Sequence, residues 1–366
     1  MTDRRPERIG ALLDRVANEG LDALIVSHPP NIRYLTGFSG SAGLLLVSRQ
    51  GVLLLTDFRY EAHSLAEVGT LARIVVESGG AWERLVGLLA EYPLVRSLGF
   101  EAHVVTVREA ERLAGEVAGG GGRRIQPTTD LVEGLRVTKA PEEVDAIRAA
   151  GAAATEALAD AVACVRAGQT ELEIAAHLEA ALRRRGSEDY PFPTIVASGP
   201  RSALPHARTS VRRVERGDLL LLDFGAVVDG YASDVTRTFV VGAPPTARQE
   251  EVYGVVRRAQ QAALDGLHAG LTGKEGDALA RDPIVASGHG PAFGHSLGHG
   301  VGLEVHEAPR LARTAEDTLP EHAVVTVEPG VYYSDWGGVR IEDDVVLGAT
   351  GASLLTRYPR DLLVIG

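Results

Sequence analysis

A single cysteine, Cys164, in 366 residues leaves nothing to pair with in an intrachain disulfide, which suits a reducing compartment. It falls in the apolar-rich stretch ALADAVACVRAG and is expected as a buried helix residue rather than a nucleophile. No segment approaches the roughly 18 consecutive apolar residues of a membrane span, so no membrane partner is expected. The first twenty residues carry charges throughout and lack the apolar centre of a signal peptide. A cytoplasmic protein is expected. Basic residues are the minority charge: 37 Lys and Arg stand against 49 Asp and Glu, a net charge of −12. That balance argues against nucleic acid, whose phosphates call for a basic surface.

What is present is ordinary globular composition, 45% apolar and 23% charged, in a chain long enough for two domains. Residues 7–19 have helical spacing, with Ile9, Leu12, Leu13 and Val16 on one face. Ala23 to Val26 reads as a short strand. Leu44–Val47 and Val52–Leu55 flank Ser48-Arg49-Gln50-Gly51 as a hairpin, and a helix is expected around 81–91. This alternation predicts a small α/β domain. The glycine run Gly119–Gly122, close to Pro127, puts the boundary near residue 130, giving domains 1–130 and 131–366. The second domain opens with a helix primed by Pro141, Glu142 and Glu143 and ended by Gly168. Thr170-x-x-Glu173 and Thr272-x-x-Glu275 are capping boxes for further helices, the latter over about 273–281. A long helix is expected over roughly 246–269. Helices then strands, twice over, make an α+β organisation.

The most informative stretch is LLLLDFGAVVDGYASDVTRTF. Leu219 to Leu222 reads as a buried strand, and Asp229-Gly230 as a two-residue hairpin turn. With that turn, Asp223 lies opposite Thr236, and Asp234 shares its face as a diagonal neighbour, roughly 7–8 Å away at the backbone. Further on, FGHSLGHGVGLEVHE sets His295, His299 and His306 among glycines. Then VVTVEPGVYYSDWGGVRIEDDVVL carries Glu328 and Glu342 in alternating apolar runs, where an unpaired charge is costly. A chain reversal near Asp335 puts Glu328 across from Glu342, with Pro329-Gly330 able to bulge the strand. Four inward carboxylates and a histidine are hard to keep ionised together without cations. Such a mostly oxygen set suits hard or borderline divalent ions. Paired ions about 3.5–4 Å apart clamp the attacking and leaving groups of a hydrolysis.

The order Asp223, Asp234, His299, Glu328, Glu342 resembles the metal set of the pita-bread metallopeptidases, which include methionine aminopeptidase, aminopeptidase P and prolidase. The motifs ASGPRSALPHA, HSLGHGVGLEVHE, VEPGVYY and GGVRIEDDVV resemble the branch that cleaves Xaa-Pro bonds. The likeness is strong over about 135–366 and weaker in NIRYLTGFSGSAG and LLTDFRY, which resemble that branch's N-terminal domain. It implies a curved antiparallel sheet with helices outside and two divalent ions inside, manganese foremost, with cobalt, zinc and iron also suited. It implies that Asp223 chelates one ion, that His299 and Glu328 bind the other, and that Asp234 and Glu342 bridge. A water or hydroxide between the ions is then the nucleophile, and Glu328 carries its proton.

The same resemblance turns His206, a loop histidine on local grounds, toward the substrate. It gives His306 the scissile carbonyl or tetrahedral intermediate, and sets His295 near both substrate and metals. Arg340 lies two residues before Glu342 and on the same side of a strand by parity. There it is placed for a charge-assisted contact to a metal-ligating carboxylate. His289 is expected as a solvated loop residue, and His28, His63, His103, His177, His268 and His322 have no motif context. The activity implied is removal of an N-terminal residue before proline, as in aminopeptidase P, because LTGFSGSAG resembles that N-terminal domain. The alternative is an Xaa-Pro dipeptidase. Creatinase-like hydrolases and non-catalytic relatives share the fold but lose ligands that this chain keeps. Partners expected are peptides with proline second and, by family analogy, a second copy of the chain.

Overall fold

The computed structural model describes residues 3–119 and 122–366. The middle of the glycine run, residues 120–121, lies outside them. The chain divides into two compact units, Met1–Arg136 and Val137–Gly366. The division falls past residue 130 because the short helix Glu133–Arg136 is tied to the first unit. Arg15 donates to the Gly134 carbonyl at 3.1 Å, and Asn31 to the Glu133 carboxylate at 2.5 Å.

The first unit is built on six strands in the order Arg73–Val76, Gly51–Thr56, Gly43–Ser48, Ala23–Val26, Ser97–Glu101, Arg124–Thr128. Gly43–Ser48 runs antiparallel to both neighbours, and every other pair is parallel. The expected hairpin closes with Ser48 opposite Gly51. The first helix, Arg5–Asn18, buries Ile9, Leu12 and Val16, as its spacing requires. The helix expected near 81–91 is Ala81–Leu88 followed by a tighter turn over Leu89–Glu91.

The second unit repeats one plan: two helices, then strands. Pro141–Val162 and Glu171–Arg184 cover a sheet ordered Val364–Ile365, Val235–Val241, Leu219–Phe224, Ile195–Ser198. Ala247–Gly266 and Gly273–Ala286 cover another, ordered Glu307–Leu311, Gly298–Gly300, Val324–Val327, Asp343–Leu347, Ala352–Leu354. Both sheets are antiparallel except where Val364–Ile365 adds a parallel edge to Val235–Val241. This is the pita-bread fold. Thr170, Thr246 and Thr272 each cap a helix reciprocally with the residue three positions on, Glu173, Gln249 and Glu275.

Two expectations fail here. The helix from Pro141 stops at Val162, not at Gly168, and Cys164 is exposed in the following turn. The core is met by Leu158, Ala161 and then Val165, so Cys164 falls on the outer side of that period.

Candidate metal centre

The site lies along the seam between the two larger sheets of the second unit, beside the short hairpins Val227–Val228 with Tyr231–Ala232 and Gly330–Tyr333 with Gly337–Arg340. The Asp229-Gly230 turn has φ of 49° and 74°, the left-handed pair that a two-residue hairpin needs. It sets Tyr231 against Val228 and, further along, Thr236 against Asp223, the expected register. The second hairpin also keeps its register: Val327 faces Asp343 and Gly330 faces Arg340. Between those pairs the ladder is interrupted, because Pro329 has no N–H to give. Both glutamates use the gap. Glu328 N–H bonds to the Leu297 carbonyl at 2.9 Å, and Glu342 N–H to the Thr236 carbonyl at 3.1 Å. The two carboxylates are thereby stitched to the segments carrying His299 and the aspartates.

His299 is flanked by Gly298 and Gly300 for a steric reason. A Cβ on Gly298 would overlap the Thr326 carbonyl oxygen, and one on Gly300 the Ala308 carbonyl oxygen. The His299 Nδ1 lies 3.1 Å from the Gly300 carbonyl, so it carries the proton. Nε2 is left toward Glu328 at 3.4 Å and Asp234 at 3.8 Å. Asp223, Asp234 and Glu342 each offer an oxygen within 4.8 Å of the others; so do the ligand atoms of His299, Glu328 and Glu342, and of Asp234, His299 and His306. Glu342, Asp234 and His299 each belong to two of these groups.

Burial, then the charges of Glu342 and Asp223, push the Asp234 carboxyl well above the usual carboxylate range. Burial and Glu342 do the same to Glu328, while burial and Asp223 push Glu342 up to about 8. Burial pushes His299 and His295 down to about 4, His306 adding to the first effect and Arg340 to the second. Neutral imidazoles beside carboxylates that repel one another are what a cation resolves. Asp223 Oδ1 and Asp234 Oδ1 are buried with no hydrogen-bond partner, the orphaned acceptors a metal would satisfy. The donor set therefore fits divalent ions.

Arg340 does contact a carboxylate of the set, but that carboxylate is Asp223 rather than its parity neighbour. Glu342 is held instead by Thr236, whose hydroxyl donates to it at 2.5 Å and accepts from Arg340 Nε at 3.1 Å. Arg340 also donates to the Tyr332 hydroxyl at 2.8 Å. Tyr332 in turn reaches His295 Nε2 at 2.9 Å, and His295 Nδ1 lies 2.8 Å from the Ser296 carbonyl. This relay fixes the His295 ring, yet Tyr332 carries no expectation from sequence. Its one signal is parity with Glu328 within VEPGVYY. Beneath the site, Arg237 is buried, pairs with Asp343 at 2.7 Å and donates to the Glu342 carbonyl at 2.6 Å. Asp344 accepts from the Asp234 N–H at 2.9 Å. His289 is no free loop residue: its Nδ1 lies 2.7 Å from the Tyr333 hydroxyl.

His206 and His306 are exposed and line a cleft of about 1440 Å³ above the carboxylates, together with His295, Arg208, Arg310 and Arg313. Arg310 is the strand partner of His299, so both side chains leave on one face. It helps to hold His299 and His306 below the usual imidazole range, after the larger effect of desolvation, which is nearly complete for His299 and only partial for the His306 ring at the cleft. Among the described residues, none of these three arginines has an ion-pair partner.

The model of metallopeptidase family M24 matches residues 145–349, and that of the creatinase/prolidase N-terminal domain residues 8–138. The chain is 35% identical to an Xaa-Pro dipeptidase of Pyrococcus horikoshii, over 98% of this chain and 99% of that one. An Xaa-Pro dipeptidase structure from Bacillus anthracis superposes with a TM-score of 0.93 at 37% identity, covering 98% of this chain and 99% of the other. An X-Pro aminopeptidase structure from Thermotoga maritima superposes with a TM-score of 0.89, also at 37% identity, covering 97% and 99%. No helix among the described residues is long and apolar enough to cross a membrane.

Proposed function

We propose that this chain, which belongs to metallopeptidase family M24, is an Xaa-Pro dipeptidase that holds two divalent ions, manganese foremost. The named dipeptidases among its relatives favour this over the aminopeptidase reading that LTGFSGSAG suggested. The observation that carries it is the cationic wall of the cleft. Arg310, on the face of His299, is suited to the free carboxylate of a C-terminal proline, an anion that longer peptides do not present at that position.

In this reading Asp223, Asp234, His299, Glu328 and Glu342 would hold the ions, Asp223 serving one, His299 and Glu328 the other, and Asp234 and Glu342 both. Bound there, the ions would polarise the scissile carbonyl and lower the pKa of a water. Glu328 takes a proton from the attacking water and returns it to the proline nitrogen, which as a tertiary amide has no N–H of its own. His206 and His306, at the cleft, donate toward the oxygen that becomes anionic. Arg340, Tyr332 and Thr236 hold Asp223, His295 and Glu342 in place.

The test compares Ala-Pro, Ala-Pro amide and Ala-Pro-Gly in one manganese-reconstituted preparation. The dipeptide should show the highest kcat/KM. Arg310→Met should lower that value by roughly 10- to 100-fold, the worth of a charge-assisted hydrogen bond at about 1.5–3 kcal/mol, and leave the amide unaffected. A second reading, Xaa-Pro aminopeptidase, is favoured by the cleft volume, which exceeds the roughly 300–1,000 Å³ of common small-molecule sites. Faster cleavage of the tripeptide than of the dipeptide, unchanged by Arg310→Met, would select it.

A further inference from the structure

Among the described residues, one histidine–carboxylate cluster is built wholly from the first unit. His28 follows the strand Ala23–Val26 and precedes the helix Pro29–Thr36. His103 lies in the turn after Ser97–Glu101, and Glu133 opens the helix Glu133–Arg136. The two strands are parallel neighbours, so both histidines emerge at the same, C-terminal, edge of the sheet. That edge is where open α/β sheets collect ligands.

His28 Nδ1, His103 Nε2 and Glu133 Oε1 form a triangle with edges of 3.5 Å between the histidines, 3.2 Å from His103 to Glu133 and 4.0 Å from His28 to Glu133. A point equidistant from the three atoms lies about 2.1 Å from each, the length of zinc–nitrogen and zinc–oxygen bonds. The surroundings steady the triangle. Asn31 Nδ2 donates to Glu133 at 2.5 Å and to Glu101 at 2.7 Å, and its own oxygen accepts from Arg136 at 2.8 Å. Glu101 accepts the N–H groups of Ser27 and His28 at 2.7 and 2.8 Å, which fixes the backbone at His28. The side chains of His28 and Glu133 are 18% and 19% exposed, and that of His103 42%, so one side stays open to solvent.

We infer that His28, His103 and Glu133 form a separate site for a borderline divalent transition ion such as Zn²⁺, with water completing the coordination. Two imidazoles and one carboxylate favour zinc, nickel or copper over the harder ions suited to the carboxylate-rich centre. Burial raises the Glu133 carboxyl, but hydrogen bonds from His28 and Asn31 outweigh it and hold the group down at about 2. The carboxylate is therefore anionic at neutral pH. A bound ion would tie three segments far apart in sequence at one edge of the sheet.

The experiment is equilibrium dialysis of the full chain against Zn²⁺ with metal analysis, for wild type, His103→Ala and Glu133→Gln. Wild type should bind one Zn²⁺ per chain more than either variant. Only the difference is read, so the loading of the carboxylate centre drops out. His103 is well exposed, so its truncation opens no core, and peptidase activity of His103→Ala should match wild type. A measurement on wild type alone stands beside this. Saturating Zn²⁺ should protect His28 and His103 from diethyl pyrocarbonate, as mapped by peptide mass spectrometry. Equal Zn²⁺ stoichiometry in wild type and His103→Ala, or modification of both histidines unaffected by Zn²⁺, overturns the assignment.

Discussion

Replacing Arg237 by Met should destabilise the second unit by about 3 kcal/mol, and the structure says why. Its guanidinium is 1% exposed and carries five hydrogen bonds. Nε donates to the Pro359 carbonyl at 3.0 Å. Nη1 donates to the carbonyls of Thr236 at 3.0 Å and Glu342 at 2.6 Å. Nη2 donates to Asp343 at 2.7 Å and to the Tyr358 carbonyl at 2.8 Å. Breaking a buried ion pair from one side costs about 3–5 kcal/mol, because the other charge is stranded. Asp343 keeps Thr356 and Gln260 as donors, each at 2.9 Å, which places the loss at the low end. The assay is urea unfolding in a Trp82→Phe background, which leaves Trp336 as the sole tryptophan reporter, in the second unit. The midpoint should fall with the m-value unchanged. Adding Asp343→Leu to Arg237→Met should recover much of the loss, since an apolar pair of similar volume tolerates such a site. A loss under about 1 kcal/mol, or a double variant no better than the single one, refutes the reasoning. Because Arg237 holds the Glu342 backbone, the single variant should also bind metal more weakly.

Glu328→Gln should lower kcat by at least about 10²-fold, the scale of general acid–base catalysis, and near-normal turnover with metal bound contradicts the role assigned to it. His206→Ala and His306→Ala should each lower kcat while elemental analysis still finds wild-type metal content; loss of an ion in His306→Ala would move that residue into the ligand set. In metal-free protein, Asp234, Glu328 and Glu342 have raised pKa values when folded, so their contribution to stability is present at low pH and lost as pH rises. The Tm of the metal-free protein should therefore fall between pH 5 and about pH 8, where Glu342 ionises, and Mn²⁺ affinity should rise over the same interval; an affinity indifferent to pH tells against the ligand set. Exposed Cys164 should react fully with a maleimide while the protein stays folded and active, and slow or inactivating labelling would contradict its placement.

Much of the second unit is readable from local sequence because its signals are short-ranged. Asp229-Gly230 dictates a left-handed turn, which sets Asp223 against Thr236. The hairpin register that sets Val327 opposite Asp343 and Gly330 opposite Arg340 brings Glu328 and Glu342 together in the gap between those pairs, and the threonine capping boxes start the helices that follow them. The glycines beside His299 are demanded by neighbouring carbonyls, although the same Gly-His-Gly triplet also surrounds His289, so the wider motif and not the glycines alone marks the histidine of the site. The first unit's alternation likewise announces its strands and its hairpin. Partnership across the fold is another matter. Parity joins Arg340 to Glu342, but a guanidinium reaches whichever carboxylate the adjoining sheet presents, and that is Asp223. Tyr332 acquires its place only when His295 arrives from another segment. Cys164 sits outside because the helix ends before the apolar period returns. His28 meets His103, 75 residues further on, and Glu133 joins them from a third segment, through a parallel crossover that no local pattern encodes. Composition, turns and alternation are set by neighbours along the chain, whereas side-chain partners are set by which strands the sheet makes adjacent, and adjacency exists only once the chain is folded.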